Sequence, residues 1–166
     1  TDFYQVPLTK NKNSKIIQKN KQFWKNNFFF NFQTNYFQLI EKNKSNSLAI
    51  HFIGENNYEE KISYRELSLK VNALSSYYQS LKIKKGDVVV GYLPNIADTI
   101  ISFLASAKIG AVWSSCSSDF GAKAVIDRFS QLKPKLLIVA DHYFYNGKKF
   151  EYSKNLRQIR SKIGNP

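Results

Sequence analysis

Acidic residues are scarce in this 166-residue chain: 12 Asp and Glu stand against 25 Lys and Arg, a formal charge of +13. Such an imbalance attracts nucleic acid or anionic membrane, but its distribution argues against a dedicated patch. Arg65, Arg128, Arg157 and Arg160 are the only arginines, and no run exceeds two consecutive lysines. Nucleic-acid readers lean on the guanidinium fork for bidentate contacts, so no nucleic-acid partner is expected. The single cysteine, Cys116, excludes an internal disulfide and fits a reducing cytoplasm, the expected location. No apolar run approaches the ~20 residues of a membrane span, so no membrane partner is expected either. The sequence holds neither GxGxxG nor GxxxxGK[ST], which removes two familiar phosphate-binding fingerprints. His51 and His142 are the only histidines and lie far apart, with no triad or zinc spacing around them. No catalytic residue and no metal ligand is therefore assigned. Methionine is absent, the chain starts at Thr1, and it stops at Pro166 just after a helical pattern. A piece of a longer protein is expected.

What is present reads as an arm followed by an alternating α/β pattern. Residues 1–47 are rich in Lys, Asn and Phe. Phe23, Trp24, Phe28, Phe29, Phe30 and Phe32 lack clean periodicity and are expected to bury against the domain that follows. Residues 36–41 (YFQLIE) suit a short helix. Residues 48–52 alternate as a strand, GENN at 54–57 supplies a turn, and 58–62 returns. Ser63 and Glu66 have capping-box spacing. Tyr64, Leu67, Val71, Leu74, Tyr78 and Leu81 then form one apolar stripe on a helix of about five turns.

The remainder predicts a parallel sheet. VVVGYL at 88–93 is a near-continuous apolar run, as in a strand buried on both faces. Asn95 can cap the next helix, whose buried face is expected at Ile96, Ile100, Phe103, Leu104 and Ala107, with Asp98 and Lys108 outside. Gly110 ends that helix. Residues 111–113 and 136–140 read as two more strands. The helix between them uses Ala122, Val125, Phe129 and Leu132 and stops before Pro134. The order β-α-β-α-β implies right-handed crossovers and an open, three-layer, mostly parallel sheet with the early hairpin at one side.

Two polar loops follow strands, where ligands gather in such sheets. Residues 114–119 (SSCSSD) either meet a ligand or merely turn the chain, with Asp119 capping the next helix and Gly121 relaxing the backbone. Cys116 has no identifiable base beside it and is expected to be a buried, inert thiol. Asp127 and Arg128 read as a solvated helix face or a salt bridge to a neighbour, not as a catalytic pair. Residues 141–149 carry three aromatics and then Asn-Gly-Lys-Lys, where Gly147 permits close approach of backbone to a ligand and the lysines could meet phosphate.

The spelling of these segments resembles one family. WSSCSSDFG at 113–121, followed by VIDRF at 125–129, is similar to the WSSCSPDFG…DRF stretch of acetoacetyl-CoA synthetases, acetoacetate–CoA ligases among the acyl-adenylate-forming enzymes. KPKLLIVAD at 133–141 with HYFYNGK, GYLPN at 91–95 and SYREL at 63–67 resemble further pieces of it. Ser118 stands where that family has Pro. Asn35-Tyr36 matches the start of its Asn-Tyr-Ala-Glu-Asn segment, from which Phe37-Gln38 departs. The resemblance is strong over 48–149 and weak before Phe32. Acetyl- and propionyl-CoA synthetases are spelt differently at the Trp-Ser-Ser-Cys position, though a ligase for such another short-chain acid stays an alternative, as does, from a different class, a non-catalytic basic nucleic-acid-binding module.

The resemblance implies an α/β fold, the incomplete N-terminal part of an acyl-CoA synthetase large domain. Residues 1–47 would be its N-terminal arm and 48–166 the start of the AMP-binding domain. It implies acetoacetate, ATP and CoA as substrates, Mg2+ as the ATP counter-ion, and acetoacetyl-CoA, AMP and pyrophosphate as products, a step of ketone-body and lipid metabolism. The phosphate loop and the catalytic lysine of that family would lie beyond Pro166, on the rest of the same chain as partner, so the 166 residues alone are expected to be inactive. In related acetyl-CoA synthetases an Arg-Gly-Gly-Arg-like segment contacts CoA phosphates. By position Tyr145, Asn146, Gly147 and Lys148 lie there, which implies CoA contact, with Lys148 keeping the positive charge.

Overall fold

A computed structural model describes residues 17–28, 34–43 and 45–163. In chain order the elements are β1 (Ile17–Gln18), β2 (Asn27–Phe28), α1 (Tyr36–Lys42), β3 (Leu48–Ile53), β4 (Glu59–Ser63), α2 (Tyr64–Ser80) and β5 (Val88–Tyr92). There follow α3 (Ala97–Lys108), β6 (Val112–Cys116), α4 (Ala122–Phe129), β7 (Leu136–Val139), β8 (His142–Tyr145), β9 (Lys148–Glu151) and α5 (Ser153–Ile163).

The centre is the parallel sheet β6-β5-β7, with β5 paired to both neighbours. Side chains of a strand alternate between faces, and β5 shows it: Val89 belongs to one core and Val90 with Tyr92 to the other. On the first face Val89 meets α2 and α3 through Leu67, Val71, Tyr78, Ile101 and Leu104, with Phe37 of α1 outside them. On the second face Val90 and Tyr92 meet Val125 and Phe129 of α4 and Ile159 of α5. Helices thus cover both faces, the three layers expected of an α/β sheet. Gly91 is required for close approach: a Cβ there would lie 2.6 Å from the Trp113 ring.

The local signals explain the element ends. Ser63 accepts from the Glu66 amide and the Glu66 carboxylate accepts from the Ser63 amide, closing the capping box at the start of α2. The last turn of α3 closes on Gly110 (φ +74°), with the Gly110 amide on Ala107 and the Ala111 amide on Ser106, the paired bonds of a Schellman motif. Asn35 caps α1 and also donates to the Ala107 carbonyl at 2.6 Å, tying α1 to the end of α3.

Several expectations are corrected. α3 starts after Ile96, which lacks a side-chain cap, so Asn95 does not cap it. Instead Thr99 donates to the Pro94 carbonyl at 2.7 Å. The buried face of α3 is Ala97, Ile101, Ser102, Leu104, Ala105 and Ser106, whereas Ile100 and Phe103 are 39% and 38% exposed. Counting apolar residues misplaced the face, because two serines are buried where α3 packs closely; Ser106 satisfies its hydroxyl on the Ser102 carbonyl. Lys108 is not simply outside: it pairs with Glu41, bonds Asn72 and lies 5.0 Å from the Phe37 ring centroid. β6 runs on through Cys116, because Ser114, Ser115 and Cys116 stay in register with Val90, Gly91 and Tyr92. α4 is preceded by Gly121 in extended conformation without a side-chain cap, so Asp119 does not cap.

The aromatic arm differs most. Phe23, Trp24 and Phe28 are 76%, 68% and 60% exposed. They sit on and beside the two-residue pairing of β1 with β2, too small a ladder to bring them to the core. Phe29, Phe30 and Phe32 lie outside the described residues.

Candidate functional site

A cleft of about 1040 Å³ opens at the carboxyl ends of the three parallel strands. Its floor is made by the segments that leave them: 94–96 after β5, 117–119 after β6 and 140–141 after β7. This is where an open α/β sheet binds ligands, because the strand ends diverge and leave backbone groups unpaired. One wall is the tip of the β3–β4 hairpin, with Phe52, Glu55 and Tyr58. The other is β8, from His142 to Tyr145.

A buried phenol holds the floor. Tyr92 is the last residue of β5 and is fully enclosed. Its hydroxyl donates to the Phe120 carbonyl at 2.7 Å, lies 3.2 Å from the Ser118 carbonyl, and accepts from Asn155 of α5 at 3.3 Å. The loop after β6 is thereby fastened to the central strand and to α5 together. The Tyr152 ring packs edge-on against Tyr92 at 4.7 Å and Tyr143 closes against Tyr152 at 5.5 Å. Burial raises the Tyr92 hydroxyl above its ordinary pKa and pushes Tyr152 up to about 12. Both phenols stay neutral at physiological pH and are not bases; Tyr92 supports the loop through its hydroxyl, whereas Tyr152, whose hydroxyl has no well-aligned partner, supports it by ring packing alone.

Cys116 is buried, and desolvation raises its thiol pKa against a weaker pull from Arg128. A thiol held protonated is a poor nucleophile, in keeping with an inert role. Arg128 lies 5.6 Å from the Phe120 ring and reaches the Ser115 carbonyl at 3.5 Å, and with Asp127 it lies on the exposed face of α4. Asp141 lies 2.8 Å from His142 Nδ1, and this contact lowers the Asp141 carboxyl below the usual range. His51 pairs with Glu59 across the β3–β4 hairpin.

The second polar segment is not an open loop. Residues 142–151 form the β8–β9 hairpin, in which Tyr145 pairs with Lys148 and Tyr143 stacks on Phe150. Asn146 and Gly147 have φ +51° and +71°, the conformation of a two-residue type I′ turn. Asn-Gly between alternating strands is the sequence signature of that turn, and the reading of this stretch as a loop overlooked it. Tyr145, Asn146, Gly147 and Lys148 are thus brought together at the hairpin tip beside the cleft, all exposed. The amides of Asn146 and Gly147 each donate to the Glu55 carboxylate at 2.8 Å. Neither Glu55 nor Tyr92 was singled out in the sequence. Glu55 is one acid in a turn, and its partner lies in another hairpin; Tyr92 reads simply as a strand residue.

Among the described residues no three His, Cys, Asp or Glu side chains group closely enough to hold a metal ion. No helix among them is long and apolar enough to cross a membrane.

Comparison with known proteins gives a consistent answer. The family model described as AMP-binding enzyme matches residues 38–164. An acetoacetyl-coenzyme A synthetase of Rhizobium meliloti (strain 1021) is 37% identical over 139 residues, which cover 84% of this chain and 21% of that protein. The acetoacetyl-CoA synthetase of Mus musculus is 39% identical over 127 residues, 75% of this chain and 19% of that one. The solved acetoacetyl-CoA synthetase from Streptomyces lividans superposes with a TM-score of 0.88 at 27% identity, over 98% of this chain and 25% of that structure. The chain spans about a fifth of the length of the curated relatives it matches.

Proposed function

The chain belongs to the AMP-binding enzyme family, and on that premise we propose that it serves an ATP-dependent acid–CoA ligase that converts acetoacetate, ATP and CoA to acetoacetyl-CoA, AMP and pyrophosphate. The observation that carries this reading is the agreement of the acetoacetyl-CoA synthetase relatives in sequence and in fold over most of this chain. When bound, ATP supplies the phosphorus on which an acyl adenylate forms, and CoA supplies the thiol that displaces AMP.

The residues in hand support a share of that work: shaping and orienting. The strand ends form a cleft large enough for part of a CoA or adenylate molecule. Tyr92 fixes the loop on its floor. The tip of β8–β9 presents two backbone amides with Lys148 beside them, a chemistry that suits phosphate. We assign CoA phosphate contact to this tip, Tyr145 to Lys148, with Lys148 as its charge. The described residues offer no set of three metal-ligating side chains, so Mg2+ would be held through ATP and residues outside them. A cytoplasmic location is part of this reading, in keeping with a sequence that has one cysteine.

The test is an assay of the full-length protein with ATP and CoA against acetoacetate, acetate and propionate. Acetoacetate is expected to give the highest kcat/KM. Equal or higher values for acetate would move the assignment to another short-chain acid. Lys148→Ala is expected to raise KM for CoA with little change in KM for ATP, and an unchanged KM for CoA would remove Lys148 from the site. The 166-residue chain alone is expected to show no turnover.

A further inference from the structure

The two hairpins that wall the cleft, β3–β4 and β8–β9, belong to separate sheets. Among the described residues, the hydrogen bonds that link them are those of one side chain, Glu55. In a type I′ turn the two central amides take no part in the ladder, and at this exposed tip they are open to water or to an acceptor from elsewhere. One oxygen of the Glu55 carboxylate accepts from the Asn146 amide and the other from the Gly147 amide, each at 2.8 Å. Successive amides facing one way make an anion-binding concavity, and here the anion is supplied from within. Lys148 follows the turn directly as the first residue of β9, so a positive charge stands next to the two amides.

We propose that Glu55 is a latch: its carboxylate holds the two hairpin tips together across the cleft mouth and occupies a backbone anion site that a phosphate-bearing ligand takes only by displacing it. The inference sharpens the assignment of the tip to CoA phosphate and rests partly on it, but the occupied anion site stands on geometry alone. Glu55 is exposed, so the exchange of one anion for another needs no rearrangement of either core. Opening of the mouth and arrival of an anion become one event, because the same two amides serve both. Glu55 is on this account a positioning residue and touches no reacting atom.

The experiment uses the full-length protein, its Glu55→Gln variant, and hydrogen exchange of the peptide that carries Asn146 and Gly147, with inorganic phosphate as probe. Gln removes the charge yet keeps the length. Exchange at the tip is expected to be on the order of tenfold faster in E55Q, as for loss of a charge-assisted bond. Phosphate is expected to restore protection in E55Q at concentrations well below those that affect the unsubstituted protein. Unchanged exchange in E55Q, or no protection of E55Q by phosphate, overturns the latch. If phosphate protects the E55Q tip and CoA does not, the latch stands and the CoA assignment falls. If both protect it, both stand.

Discussion

The two faces of the parallel sheet are built differently. On the first, Val89 packs against α2 and α3 in a core of mostly aliphatic side chains with Phe37, Trp113 and small serines, Ser75 and Ser106 using carbonyls of their own helices. Among the described residues of this core, Tyr78 is buried near Ser102 without a well-aligned hydrogen bond, and burial pushes its hydroxyl up to about 12. On the second face, Val90 shares the core with Tyr92, Tyr152, Phe129 and Cys116. There the Tyr92 phenol reaches out to the loop that floors the cleft. The first face therefore supports the fold, while the second supports both fold and site. A buried hydroxyl with bonded partners transmits position; one without them only occupies space.

Core truncation gives the largest expected effects. Phe129→Ala on the second face is expected to cost about 3–5 kcal/mol, and Leu104→Ala on the first about 2–5 kcal/mol, read from denaturant unfolding of the full-length protein. The faces part company in the cleft: exchange in residues 117–121 is expected to rise in Phe129→Ala and not in Leu104→Ala. Equal loosening of that loop by both would break the distinction.

The paired phenols sharpen it at smaller magnitude. Tyr92→Phe leaves two carbonyls and Asn155 without their partner and is expected to cost about 1–3 kcal/mol. It is also expected to raise KM for CoA. Tyr78→Phe removes a hydroxyl with no well-aligned bond and is expected to be neutral or slightly stabilising. A Tyr78→Phe loss as large as that of Tyr92→Phe would contradict this reading.

Acid has the smallest expected effect, and it acts at the cleft, where His142 lowers Asp141, as well as away from it. The hydrogen bond from Lys135 at 2.7 Å holds Asp87 below its usual range, and Ser63 does the same for Glu66. Carboxyls lowered in the folded state bind protons more readily when unfolded, so their contribution is present above the ordinary carboxylate range. It is lost as pH falls through the lowered folded values. Stability is expected to decline below about pH 4, and Asp87→Asn is expected to flatten that decline. An acid limb unchanged in Asp87→Asn would exclude the pair as a contributor.

Much of the first face was legible in the sequence, because α2 announces itself by a capping box and a clean stripe from Leu67 to Tyr78. The parallel β-α-β-α-β alternation also followed from the apolar runs and helices, but not the spatial order that puts β5 between β6 and β7. The face of α3 was misread because Ser102 and Ser106 are buried polar residues, invisible to a count of apolar ones. The arm was misread because aromatic content says that Phe23 and Trp24 favour burial, not that a partner is within reach. The cleft was legible as a location, the segments after β6 and β7. Its supports were not, since the contacts of Tyr92 with Phe120 and of Glu55 with Gly147 join residues far apart in the chain, and nothing local in either member signals the other.

The most direct test of the cleft as the CoA-binding region is a hydrogen-exchange footprint of CoA on the full-length protein. Protection is expected in the segments around 117–121 and 141–148, with α2 unchanged. Protection absent from both segments while CoA is bound would contradict the account.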